Sequence, residues 1–142
     1  MQYSFIQNTK LRVRYGETDQ MGYCYYGNYA QYFEVGRVEA LRSVGMSYRN
    51  LEENGIMLPV SEFHVHYLSP AKYDDELSIS TKIASVTGPR ILFEYEIRNQ
   101  DNKLISTAST TLVFVKKETM RPTAPPSEFI DLLTPFLLSD ET

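Results

Sequence analysis

From Asn28 to Val44 the apolar or small residues Tyr29, Phe33, Gly36, Ala40, Leu41 and Val44 recur at helical spacing, while Gln31, Glu34, Arg42 and Ser43 fall elsewhere on the wheel. This spacing predicts one long amphipathic helix. Asn28 followed by Gln31 reads as a capping box, and Gly45 stands where a helix C′ glycine belongs. After the helix the period changes to two. "SEFHVHYL" sets Phe63, Val65 and Tyr67 against Glu62, His64 and His66, "LSISTKIASV" lines up Leu77, Ile79, Thr81 and Ile83, and "RILFEYEIR" does the same with Ile91, Phe93, Tyr95 and Ile97. The turn residues "NQDNK" join the last of these to the β-branched run "LISTASTTLVFV", so residues 91 to 115 read as a hairpin. "LRVRY", residues 11 to 15, predicts a short first strand, and "PPSEFIDLLTPFL" a short terminal helix with Ser127 as its N-cap.

One long helix followed by strands joined through short turns implies an antiparallel sheet with the helix on one face, an α+β layer architecture. With 142 residues, 42% of them hydrophobic, the chain has the size of one domain spanning residues 1–142. Aromatic residues make up 13%, more than one covered sheet face accounts for, and this predicts a homodimer. The net charge is −4 and the 14 basic residues are scattered, which excludes the electrostatic footprint of a nucleic-acid binder. No uncharged apolar run approaches the roughly 20 residues that span a bilayer, and the first residues lack a signal-peptide core. A cytoplasmic protein is expected, and the single cysteine, Cys24, fits a reducing compartment.

The candidate chemistry gathers before the helix. Asp19 lies in the loop "ETDQMGY", with Gly22 and Gly27 permitting tight backbone near the helix start. Helix-start amides around Tyr26 to Tyr29 lack intrahelical acceptors and carry the positive end of the helix dipole. A carboxylate beside such donors, walled by aromatics, could hydrolyse an activated acyl group. Loop aspartates before helices also serve as turn and capping residues, and the residues alone leave both readings open.

The stretch "VRYGETDQMGYCYYGNYAQYFEVGRVEALR", followed by "SPAKYDDEL", resembles the hotdog-fold acyl-CoA thioesterases of the 4-hydroxybenzoyl-CoA thioesterase type, from about Leu11 to Val115. The resemblance implies a hotdog fold, an antiparallel sheet wrapped around one long central helix. It further implies a dimer joined sheet edge to sheet edge, with active sites at the interface, as a homodimer or homotetramer. Asp19 would be the catalytic carboxylate, as nucleophile or general base, and the Tyr26 amide would polarise the thioester carbonyl. Gly27, Asn28, Tyr29 and Phe33 are candidates to border the substrate, although the helix tyrosines and Phe33 read mostly as core and interface residues. Leu58, Pro59 and Val60 would complete the pocket from the partner subunit. Arg90, with Lys116 and Lys117 as weaker candidates, would meet the coenzyme A phosphates. Many relatives carry His where this chain has Tyr26; the hydroxybenzoyl branch also has an aromatic there.

The remaining candidates have plainer readings. Cys24 has no neighbouring base in sequence and reads as a packing residue. His64 and His66 share a strand face without a third ligand. Asp74 and Asp75 read as turn residues. The expected function is hydrolysis of an acyl-CoA, or an acyl-carrier-protein thioester, to acid and thiol, without metal or redox cofactor. The alternatives are a non-catalytic acyl-thioester-binding protein, an interaction module with a vestigial pocket, and a 3-hydroxyacyl-thioester dehydratase, which wants a His near the helix.

Overall fold

A computed structural model describes residues 1–138. After strand β1 (Gln2–Arg12) come helices α1 (Tyr29–Val44) and α2 (Tyr48–Glu53), then strands β2 (Ile56–Met57), β3 (Val60–Tyr67), β4 (Glu76–Thr87), β5 (Arg90–Arg98), β6 (Leu104–Val113) and β7 (Val115–Lys116), and last helix α3 (Ser127–Leu133). Five strands form one antiparallel sheet in the order β1-β4-β5-β6-β3, and β2 pairs separately with β7. The period-two residues Leu77, Ile79, Thr81 and Ile83 of β4 and Ile91, Phe93, Tyr95 and Ile97 of β5 are all buried, on the face that α1 covers.

All six residues of the predicted apolar seam of α1 are buried. Gly36 lies closest to the sheet: a Cβ there would stand 2.5 Å from Thr81 Oγ1 and 2.8 Å from Ile79 Cγ2. The seam also buries Arg37. Its Nε donates to Tyr48 Oη (2.8 Å) and its Nη1 to Tyr95 Oη (3.3 Å), which ties α2 to the centre of the sheet. Gly45 closes the helix in the left-handed region (φ 108°), and the Met46 amide donates back to Leu41 O at 2.8 Å, satisfying a terminal carbonyl.

Several sequence expectations shift. The first strand runs over Gln2–Arg12 rather than residues 11 to 15, pairing with β4 from Gln2 opposite Ser85 to Arg12 opposite Glu76. Its polar middle, Gln7 to Lys10, sits at the sheet edge, where inward residues are only half-buried, and so hides the alternation. Tyr15 then opens a 3-10 turn instead of continuing the strand. In α3, Ser127 is the first helical residue and Pro126 takes the cap position. Helix α2 was not foreseen, although Ser47 Oγ accepts the Asn50 amide at 3.1 Å as an N-cap should.

The two edges of the sheet differ. The C-terminal segment covers β1: Leu138 N–H donates to Gln2 O at 2.9 Å, and the Phe5 and Phe136 rings meet edge to face at 4.9 Å. Strand β3 is open, exposed along nearly its whole length on both faces.

Candidate active site

Between β1 and α1 the chain folds into a small closed loop. Tyr25 N–H donates to Glu17 O at 2.8 Å across its base, and Asp19 N–H donates to Tyr23 O at 2.9 Å nearer its tip. The tip is a tight turn in which Gly22 N–H donates to Asp19 O (3.0 Å), with Gly22 at φ 82°, a conformation glycine adopts without strain. Met21 N–H donates to Asp19 Oδ1 at 2.9 Å. Asp19 is thus a turn residue as well as a candidate catalyst, and Oδ2 accepts no hydrogen bond among the described residues.

The chain enters α1 through a 3-10 turn over Tyr26–Asn28. The amides of Tyr26 and Gly27 open that turn and have no carbonyl ahead of them in the helix. The capping box does not form. Asn28 has helical dihedrals, and its Nδ2 turns back to donate to Glu17 O at 2.8 Å, so its side chain holds the loop rather than the helix start.

Asp19 and Tyr26 open onto one cleft of about 300 Å³, walled by Tyr23, Tyr29, Tyr67 and Pro70. Tyr29 and Tyr67 meet edge to face at 5.0 Å, and the Tyr67 ring also stands 6.3 Å from that of Tyr26. Burial, aided by Cys24 and Tyr67, pushes the Tyr29 phenol up to about 12, so it stays neutral at working pH. Cys24 is buried, and burial raises its thiol pKa, with the Glu17 and Asp19 carboxylates adding to the effect. A neutral thiol is a packing group and not a nucleophile.

The strongest polar feature beneath the cleft escaped the sequence reading. Glu17 is 9% exposed, and its carboxylate accepts from Arg14 N (2.8 Å), Arg14 Nη2 (3.2 Å) and Tyr32 Oη (2.9 Å). Tyr32 Oη also touches Cys24 Sγ at 3.2 Å. Burial works to raise the Glu17 pKa, but the Arg14 amide, the Tyr32 hydroxyl and the Arg14 guanidinium together hold it below its ordinary value. The Glu–x–Asp spacing was visible in the sequence. The sign that both acids matter, a Tyr one turn into the helix reaching back, required the fold.

Not every expected site residue lies at this cleft. Phe33 is fully buried behind it, packed on Phe63 (5.9 Å) and Tyr95 (4.9 Å). Leu58, Pro59 and Val60 lie at the other end of β3 from Tyr67, roughly 23 Å along the strand. Arg90 pairs with Val113, and Leu112 pairs with Val60, so Arg90 too lies at that far end. Within one chain none of these four joins Asp19. His64 and His66 sit on the sheet face away from α1, beside Lys82, Glu94 and Glu96, and neither is near the helix start.

A five-stranded antiparallel sheet packed on one long helix, with an acidic loop over the helix N-terminus, defines the hotdog class of acyl-thioester proteins. The chain belongs to the thioesterase-like superfamily, whose family model matches residues 13–133. It is 33% identical over 120 residues to the acyl-CoA thioester hydrolase YbgC of Escherichia coli O157:H7, covering 84% of this chain and 90% of that protein. The structure of DHNA-CoA thioesterase from Staphylococcus aureus superposes with a TM-score of 0.88 at 32% identity, covering 92% of this chain and 89% of that one. A 4-hydroxybenzoyl-CoA thioesterase structure shares the fold, with a TM-score of 0.82 at 21% identity, over 92% of this chain and 99% of that one. Among the described residues, no helix is long and apolar enough to cross a membrane.

Proposed function

We propose that this chain hydrolyses an acyl-CoA thioester to a free acid and coenzyme A, with Asp19 as the catalytic carboxylate. The observation that carries the reading is that Asp19, whose Oδ2 accepts no hydrogen bond among the described residues, and Tyr26, which opens the helix-entry turn, line one aromatic-walled cleft. The Tyr26 and Gly27 amides stabilise the oxyanion that develops as the thioester carbonyl is attacked. Oδ2 delivers the nucleophile, either by attacking the carbonyl carbon itself or by taking a proton from water that does. The carbon–sulfur bond then breaks, and the departing thiolate takes a proton from water or from the protonated Asp19; where Oδ2 attacked directly, water hydrolyses the resulting Asp19 mixed anhydride, which releases the acid and returns the carboxylate. Family membership and the named relatives support thioester hydrolysis as the reaction.

The cleft is half of a site. Strand β3 is an open edge carrying half-exposed Val60 (48%), Phe63 (39%) and Tyr67 (49%), a row that water covers poorly and another strand covers well. Two copies paired antiparallel through β3 about a two-fold axis at His64 would set the partner subunit's Val60 opposite Tyr67, because the irregularity between Val60 and Glu62 returns Val60 to the face of Phe63 and Tyr67. That pairing would bring Leu58, Pro59 and Val60 to the Asp19 cleft, and would turn the far-end Arg90 towards the neighbouring site. The pairing is isologous, so the two sites would be equivalent.

Thiol release from a panel of short, long, branched and aromatic acyl-CoAs, measured for wild type and Asp19→Asn side by side, tests the reading. Turnover of some member by wild type and a loss of at least about a hundredfold in the variant is the expected result. Binding of a thioester without thiol release by either protein would instead make this a binding protein.

A further inference from the structure

The Asp19 loop is held from two sides. On the sheet side Cys24 N–H donates to Ala71 O at 2.7 Å, and Tyr23 forms a bridge with Lys72. On the helix side the contacts converge on Glu17. Its carboxylate accepts from Tyr32, one turn inside α1, and from Arg14 at the exit of β1. Its carbonyl accepts both Tyr25 N–H and Asn28 Nδ2, at 2.8 Å each, from the segment that carries the Tyr26 and Gly27 amides. One residue therefore joins the strand end, the acid loop and the helix start. It does not line the cleft, so it has no contact with a substrate there.

We propose that Glu17 is a positioning residue of the Asp19 site: its buried carboxylate clamps the loop to α1, so that the Asp19 carboxylate and the Tyr26–Gly27 amides keep one relative geometry. The inference rests on the reading of Asp19 given above. Burying a carboxylate costs stability unless every oxygen finds donors, and an apolar side chain would fill the same space without that cost. A charged, directional clamp makes sense where the position of a neighbour matters more than stability. A displacement of about 1 Å between reacting groups can lower turnover by up to a hundredfold. Ground-state binding, which depends on the aromatic walls, is far less sensitive to it.

The test is steady-state kinetics of Glu17→Gln and Tyr32→Phe, on whichever acyl-CoA wild type turns over, beside Asp19→Asn and with melting curves for all four proteins. Expected are a tenfold to hundredfold loss of kcat in both clamp variants, KM within about threefold of wild type, and unchanged affinity for a non-hydrolysable acyl-CoA thioether. Because the two residues share one contact, the double variant should be no slower than about the slower single one. A folded Glu17→Gln with wild-type kcat, or one that loses thioether affinity as much as kcat, overturns the proposal. If Asp19→Asn is dead while Glu17→Gln runs at full rate, only the Glu17 inference fails. If wild type is inert, or Asp19→Asn is as fast as wild type, the Asp19 reading fails and the Glu17 inference goes with it. Should Glu17→Gln melt below the assay temperature, Tyr32→Phe decides alone, since it keeps the carboxylate with Arg14 and removes the tie to α1 together with the Cys24 contact.

Discussion

A carboxylate taken out of water is stable only when its oxygens are matched by donors, and Glu17 has three: an amide, a guanidinium and a phenol. Because its pKa in the folded chain is depressed, the unfolded state binds a proton more readily there. The stabilisation is fully present above the ordinary carboxylate value, about 4.3, and is lost as the pH falls through the lower folded value. Urea denaturation of wild type and Glu17→Gln should therefore differ at pH 7, and the difference should shrink below about pH 4. A gap that stays constant across that range would mean that ionisation of the carboxylate is not what stabilises the fold there. The thiol next door makes a second check. Cys24 is 6% exposed with a raised pKa, so iodoacetamide should label it in the unfolded chain and leave the folded one unmodified.

At the scale of elements, the approach of α1 to β4 depends on one missing side chain. A methyl group at Gly36 would press on Thr81 Oγ1 and Ile79 Cγ2, neither of them the flexible end of a long side chain. Gly36→Ala should cost about 1–3 kcal/mol in urea denaturation, the range for overpacking a filled core. A cost under about 0.5 kcal/mol would show that the helix can rise off the sheet. Much of this layer was legible in the sequence. The 3.6-residue seam from Tyr29 to Val44 and the period-two strands from Leu77 to Ile97 each bury one face, and burial of one face is what writes such periods. The capping box at Asn28 was a false signal, because two residues of suitable type do not reveal which acceptor the amide will meet first. Strand β1 was misplaced because an edge strand with Gln7 and Thr9 facing inward shows little alternation. Asp19 was legible through motif resemblance, whereas Glu17 and Tyr67 became site neighbours only through contacts distant in sequence.

For the whole molecule, the contrast between the sheet edges is the main clue. Among the described residues, the C-terminal segment covers β1 and β3 stays bare, with Val60, Phe63 and Tyr67 half in water. Pairing through β3 should give a species of twice the 16.4 kDa of one chain by light scattering. Val60→Asp should lower both that mass and thiol release together. A monomeric Val60→Asp with full turnover would mean that one chain suffices for the site. The sequence hinted at association through its aromatic content but could not say which edge is open, since that depends on where the C-terminal segment packs.

The separation of Asp19 from Val60 along β3 has a genetic counterpart. If two chains exchange these ends, an Asp19→Asn chain and a chain with Val60 blocked by Val60→Trp would each be inactive alone. Co-expressed, their mixed pairs would contain one site spoiled twice and one spoiled not at all. Two dead alleles would then restore each other's activity, up to half that of wild type in each mixed pair.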